Sequence, residues 1–162
     1  MVTGIGGGCL GEQIIKALRL APVKYEIIGG DMSSLSKGLM EIDCPYLLPQ
    51  ASHPDYIDCL LSVFEKHNVR ALFVGSEPEL KVVSKARNKI SETGIFLPIN
   101  PESVIDTCLD KSKTIKFLYD HGFFFPETIT VSSLEDVEKI QFLPAVLKPS
   151  IGGSGSSNVF IA

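Results

Sequence analysis

The chain lacks any apolar run approaching the roughly 20 residues that a membrane-spanning helix needs. Its N-terminus also lacks the basic segment and long apolar core of a secretory leader. Paired thiols are missing too, since Cys9, Cys44, Cys59 and Cys108 stand singly and form no Cys-x-x-Cys. Reduced, mostly buried thiols are therefore expected rather than a metal site or disulfides. Positive charge is in short supply, with 15 Lys and Arg against 19 Asp and Glu, a net charge of −4. That balance argues against nucleic acid or a membrane surface as a partner held by bulk charge. A cytoplasmic protein is expected.

What the chain does contain is enough apolar material to fold. Its 162 residues suit one domain, or one and a fraction, and the 44% hydrophobic content with 21% charged residues excludes a disordered chain. Val2-Thr3 runs into GIGGGCLG, after which Leu10, Ile14, Ala17, Leu18 and Ala21 fall on one helical face. The first strand is expected to be short. Gly6, Gly8 and Gly11 satisfy GxGxxG, and the next strand, Tyr25-Glu26-Ile27-Ile28, ends in Gly29-Gly30-Asp31. Asp31 stands 20 positions after the last of these glycines, where a dinucleotide-binding unit places its ribose contact. The same tight turn also serves to pack a helix on a strand. A nicotinamide site and a structural or substrate-side turn through Gly6, Gly7 and Gly8 both remain open.

Further along, Leu35 to Met40 suits a short helix and Tyr46-Leu47-Leu48 a short strand bounded by Pro45 and Pro49. Tyr56, Ile57, Leu60, Leu61 and Phe64 then recur at helical spacing, with Asp55, Asp58, Ser62 and Glu65 facing out. The uninterrupted apolar run Ala71 to Val74 reads as a buried parallel strand. It ends at Gly75-Ser76-Glu77-Pro78-Glu79, and Leu80, Val83, Ala86 and Ile90 make the next helix. Ile95-Phe96-Leu97 predicts a fifth strand, and Asn100-Pro101-Glu102 a helix start. The alternation predicts a doubly wound α/β domain over residues 1–100. Ligands of such sheets bind beyond the carboxyl ends of the strands. Strand ends at Gly4, Gly29 and Gly75 should thus open on one crevice, with Ser76, Glu77 and Glu79 placed to meet an amine. Acidic residues and Pro are also simply favourable in a first helical turn.

Residues 101–162 change rhythm. Asp110-Lys111 precedes a helix with Ile115, Leu118 and Tyr119 inward, closed by His121-Gly122. Phe125 to Val131 predicts a strand, and Ser133 caps a helix running to Ile140. Ala145-Val146-Leu147, Lys148-Pro149, the Gly and Ser residues from Gly152 to Ser157, and Asn158 to Ile161 then read as strand, small-residue loop, strand. Backbone amides of glycine, serine hydroxyls and a lysine charge suit a polyphosphate. The loop from 151 to 157 is expected to be mobile without ligand. A P-loop does not fit, because its lysine follows the glycines and leads into a helix.

The Lys148-Pro149 strand with its Gly/Ser loop resembles the nucleotide-covering hairpin of the ATP-grasp superfamily. The order of Rossmann-like unit, Asp110-Lys111 helix, Gly-Phe-x-x-Pro-x-Thr at 122–128, and Lys-Pro hairpin is similar to the amino-terminal half of such proteins, in particular the carbamoyl phosphate synthetase-like group. The resemblance implies a Rossmann-like preATP-grasp domain with a parallel sheet at 1–100, then an incomplete α+β ATP-grasp subdomain at 101–162. It implies ATP as cofactor, held at its phosphates by Lys111 and Lys148, with Gly152, Gly153, Ser154, Gly155 and Ser156 as the covering loop. Lys148 and this loop should overhang the crevice edge.

The implied reaction is ligation of a small-molecule acid and an amine through an acyl phosphate. The resemblance also implies two magnesium ions whose ligands lie beyond residue 162, so these residues are expected to be inactive alone. It leaves room for a homodimer. A Rossmann-type oxidoreductase using Asp31 and a non-catalytic nucleotide-binding module are the rival readings.

Overall fold

The short segment Val2–Thr3, β1, lies at the centre of a parallel sheet, because each flanking strand pairs with it in register. Val2 sits opposite Gly29 on one side and Phe73 on the other. The structure is a computed structural model that describes residues 1–6, 8–152 and 158–162. The chain divides into two units, Met1–Glu102 and Ser103–Ala162.

The first unit is a doubly wound α/β domain. Its strands β1, β2 (Ile28–Asp31), β3 (Cys44–Leu47) and β4 (Phe73–Val74) lie in the order β3-β2-β1-β4, all parallel. Helices α1 (Leu10–Leu20) and α2 (Lys37–Glu41) belong to one core, formed by Val2, Ile5, Ile15 and Ile42. The opposite core takes Tyr56, Leu60, Val63 and Phe64 from α3 (Tyr56–His67), with Val83 of α4 (Glu77–Lys85) and Ile90 of α5 (Arg87–Ser91). Each such fully buried aliphatic or aromatic side chain contributes about 1.5–3 kcal/mol.

Several expectations are corrected here. The second strand begins at Ile28 rather than Tyr25, so Gly29 and Gly30 are its middle residues rather than its end. A Cβ on Gly29 would come within 2.5 Å of the Ile5 Cδ1, and one on Gly30 within 2.6 Å of the Leu48 Cδ1. The two cores press on the strand from both faces, and only glycine leaves room. The crevice end of β2 is consequently Asp31. On α1 the buried positions are Gly11 and Ile15, whereas Leu10 and Ala17 are exposed. Strand β3 includes Pro45, which an edge strand tolerates because one of its sides needs no ladder donor. The fifth strand is reduced to one parallel bridge, Ala71 with Phe96. The helix through Ile90 breaks at Ala86, between α4 and α5.

The second unit contains α6 (Glu102–Leu109, its first residue at the boundary), α7 (Lys111–Asp120), α8 (Leu134–Val137), and an antiparallel pair of β5 (Val146–Leu147) and β6 (Phe160–Ile161). Tyr119 is exposed rather than inward, and α8 ends three residues before Ile140. Phe125 to Val131 forms no strand; it runs without a ladder partner among the described residues. No helix among the described residues is long and apolar enough to cross a membrane.

Candidate functional site

At the carboxyl edge of the first sheet, the turn after β1 and the turn after β4 touch. Gly4 has φ 62°, and a Cβ there would lie 3.0 Å from the Ser76 nitrogen. Gly11, the third glycine of the GxGxxG run, sits against the same turn, 2.4 Å from the Gly4 carbonyl oxygen to its own absent Cβ. The glycine therefore lets α1 pack directly on backbone.

Between these turns lies Glu79, buried despite its charge. Tyr56 Oη donates to its Oε1 at 2.8 Å and Ser76 Oγ to its Oε2 at 2.7 Å. Burial is the main force raising the Glu79 pKa above the ordinary carboxylate value, with the Asp31 charge acting the same way against the two hydrogen bonds. Burial likewise holds the Tyr56 phenol above its usual range. Both Glu79 oxygens are engaged, so its carboxylate works as a strut between α3, α4 and the Gly4 turn. Glu77 is exposed at the same helix start, where Ser76 is the N-cap residue.

The glycine turn is occupied from within. Gly8, at φ 64°, donates its amide to the Glu12 carboxylate. Glu12 also binds Lys16 Nζ at 2.8 Å and approaches Lys37 Nζ at 3.7 Å. Chiefly through the Lys16 bond, and then the Gly8 amide, its pKa falls to about 2. The Glu12 carboxylate thus takes the Gly8 amide, one of the donors that such a turn would offer a pyrophosphate. Asp31 spends Oδ1 on the Ser33 amide at 2.9 Å, and its Oδ2 lies 3.4 Å from where a Gly6 Cβ would be. Gly6 is exposed, and Gly7 lies outside the described residues. Glu12 was not among the sequence-predicted site residues; the i,i+4 pair with Lys16 was the available signal.

In the second unit, helix α7 opens at Asp110, whose Oδ1 accepts the amides of Ser112 at 2.9 Å and Lys113 at 3.4 Å. The same oxygen accepts Ser150 Oγ at 2.5 Å, and this bond leads in holding the Asp110 pKa below the usual carboxylate range. Ser150 carbonyl accepts the Lys111 amide at 2.8 Å, and Asp110 bridges Ile151 antiparallel. Lys111 Nζ then reaches the Gly152 carbonyl at 2.8 Å. Two predicted residues 41 positions apart are in this way brought together. Lys148 is exposed just past β5. Gly153, Ser154, Gly155 and Ser156, and with them most of the loop expected to be mobile, lie outside the described residues. All four cysteines are free. Among the described residues no group of three or more His, Cys, Asp or Glu side chains could hold a metal ion.

This α/β unit with its four-stranded parallel sheet is similar to the preATP-grasp domains of ATP-grasp ligases. The chain belongs to the family described as PylC-like, N-terminal domain, whose profile matches residues 5–98. Among solved structures it is similar to an L-amino acid ligase from Bacillus licheniformis, with TM-score 0.73 and 20% identity over 99% of this chain and 38% of that one. It is also similar to the N5-carboxyaminoimidazole ribonucleotide synthetase from Thermotoga maritima, with TM-score 0.63 and 20% identity over 99% of this chain and 39% of that one. The chain thus spans about two fifths of either ligase. No curated protein sequence matches it.

Proposed function

We propose that this chain supplies the amino-terminal part of an ATP-dependent ligase that activates a carboxylate as an acyl phosphate and passes it to an amine. Lys111 and Lys148 neutralise the phosphates, with Gly152 and the small residues after it covering them. The observation that carries this reading is the joining of the α7 start to the Lys-Pro hairpin through Asp110, Ser150 and the Lys111–Gly152 bond. It sets an ammonium group beside the Gly152 backbone, and phosphoryl transfer relies mostly on such positioning and charge neutralisation. ATP fits these residues; the carbonyl that holds Lys111 is a weaker acceptor than a phosphate oxygen and can be exchanged for it. Bound ATP would supply the phosphoryl group.

In the first unit, Gly6, Gly8, Ser76 and Glu77 line the substrate side, and Glu79 holds their turns together. The same arrangement disfavours the nicotinamide rival, because the Glu12 carboxylate occupies the Gly8 amide that a pyrophosphate would need. The test is amide NMR of the labelled chain under nucleotide titration. Millimolar ATP should shift Lys111, Lys148 and Gly152 and leave Gly6 and Asp31 unmoved. Saturable micromolar NADH shifts at Gly6 and Asp31, abolished by Asp31→Ala, would overturn the reading in favour of an oxidoreductase.

A further inference from the structure

We propose that Asp110 and Ser150 form a positioning clasp that sets the aim of the Lys111 ammonium group; the proposal rests on the nucleotide reading above and deepens it. Capping a helix requires of Asp110 only that it accept amides of the first turn, and those of Ser112 and Lys113 satisfy that need. Its bond to the Ser150 hydroxyl is additional, and it crosses to a segment 40 residues away. Ser150 does more than donate to one partner. Its hydroxyl also lies 2.8 Å from Ser112 Oγ and 3.2 Å from the Ser112 amide, while its carbonyl takes the Lys111 amide at 2.8 Å.

Main chain and hydroxyl of one residue thus register the segment after Pro149 against the first turn of α7. The bridge between Asp110 and Ile151 extends that register by one residue, which puts the Gly152 carbonyl within reach of Lys111 Nζ. A free lysine side chain samples many rotamers, and fixing it carries an entropic cost. Here the backbone of Lys111 is pinned at one end and its ammonium docked at the other. Because the acceptor is a neutral carbonyl, a phosphate oxygen can replace it without moving the backbone. Asp110 and Ser150 touch no nucleotide themselves in this scheme; they act through Lys111.

The experiment is competitive acetylation of the full chain with limiting acetic anhydride, read by mass spectrometry as the ratio of Lys111 to Lys113 labelling. Lys113, exposed on the same turn, is the reference for reagent access, and helical circular dichroism reports any fraying. Ser150→Ala keeps both amide contacts of Asp110 and removes the hydroxyl bonds, and the ratio should rise about fivefold. Ser150→Thr restores a hydroxyl and should return it to the wild-type value. Ser112→Ala, which removes only the Ser112 hydroxyl, should give a smaller rise in the same direction.

An unchanged ratio in Ser150→Ala, or a rise that Ser150→Thr fails to reverse, would overturn the clasp. So would a rise accompanied by loss of helical circular dichroism, since Ser150 would then only support the cap. Adding ATP separates the two ideas. If ATP leaves the wild-type ratio unaltered while the Ser150→Ala rise holds, the clasp stands and the nucleotide reading falls.

Discussion

Gly11→Ala tests the packing that builds the carboxyl edge of the first sheet, and it does so by sign as well as size. In an ordinary exposed helix position the change stabilises by about 1 kcal/mol, since alanine loses less backbone entropy than glycine. At Gly11 the new methyl would stand 2.4 Å from the Gly4 carbonyl oxygen, 2.8 Å from that of Thr3 and 2.9 Å from the Gly4 carbonyl carbon. All three are backbone atoms of the central strand and its turn, so no side chain can swing away. Relieving the closest contact to ordinary distance needs α1 to withdraw by about 1 Å, and a gap of that size forfeits a quarter to a half of each dispersion contact made by Ile14, Ile15 and Leu18.

Overpacking of this kind costs about 3 kcal/mol at the upper end of its usual range; set against the helix-propensity gain, the net loss is about 2 kcal/mol. For a unit of this size that lowers the melting temperature by roughly 10 °C. Calorimetric or far-ultraviolet melting of wild type and variant measures it. A variant as stable as wild type, or more stable, would refute the close approach of α1 to β1 and with it the geometry of the glycine turn.

Tyr56→Phe removes the donor of a 2.8 Å bond to the buried Glu79 carboxylate, and urea unfolding at pH 7 should show a loss of about 1.5–3 kcal/mol; no loss would mean that Glu79 does not need the phenol. Acid sensitivity should carry two opposite signs. The Glu12 pKa lies near 2 against an ordinary 4.5, so its contribution is present above pH 4.5 and is lost as pH falls from there toward 2; Glu12→Gln should flatten that limb of stability against pH, and an unaltered limb would count against the Gly8 and Lys16 contacts. The Glu79 pKa is raised, so its contribution is full at low pH and is lost as pH rises through the folded value; Glu79→Gln should gain on wild type as pH rises above 4.5, and a constant difference would contradict the burial of its charge. The 162-residue chain is expected to show no submicromolar ATP binding and no turnover, and ATP hydrolysis that Lys148→Ala abolishes would disprove that.

What the sequence determined by itself is mostly local or periodic. The helices α3 and α7, the buried character of Leu72, the hairpin of β5 with β6, and the capping role of Ser133 all follow from spacing or from a residue acting within a turn of itself. The family likeness was legible for the same reason, since it rests on short motifs in a fixed order.

The tertiary structure decided wherever two distant segments compete for one space or one partner. Gly29 and Gly30 look like the end of a strand until Ile5, Ile42 and Leu48 press on them from both faces. Glu79 looks like an exposed first-turn acid until Tyr56, 23 residues earlier, closes over it and leaves no oxygen free. Phe125 to Val131 has strand composition but no partner among the described residues, and a lone extended segment gains no ladder bonds to hold it. The turn at Gly6 to Gly8 matches a dinucleotide fingerprint in one dimension. In three, α1 folds Glu12 back onto the Gly8 amide, and a carboxylate in that position answers the helix N-terminus before any phosphate can.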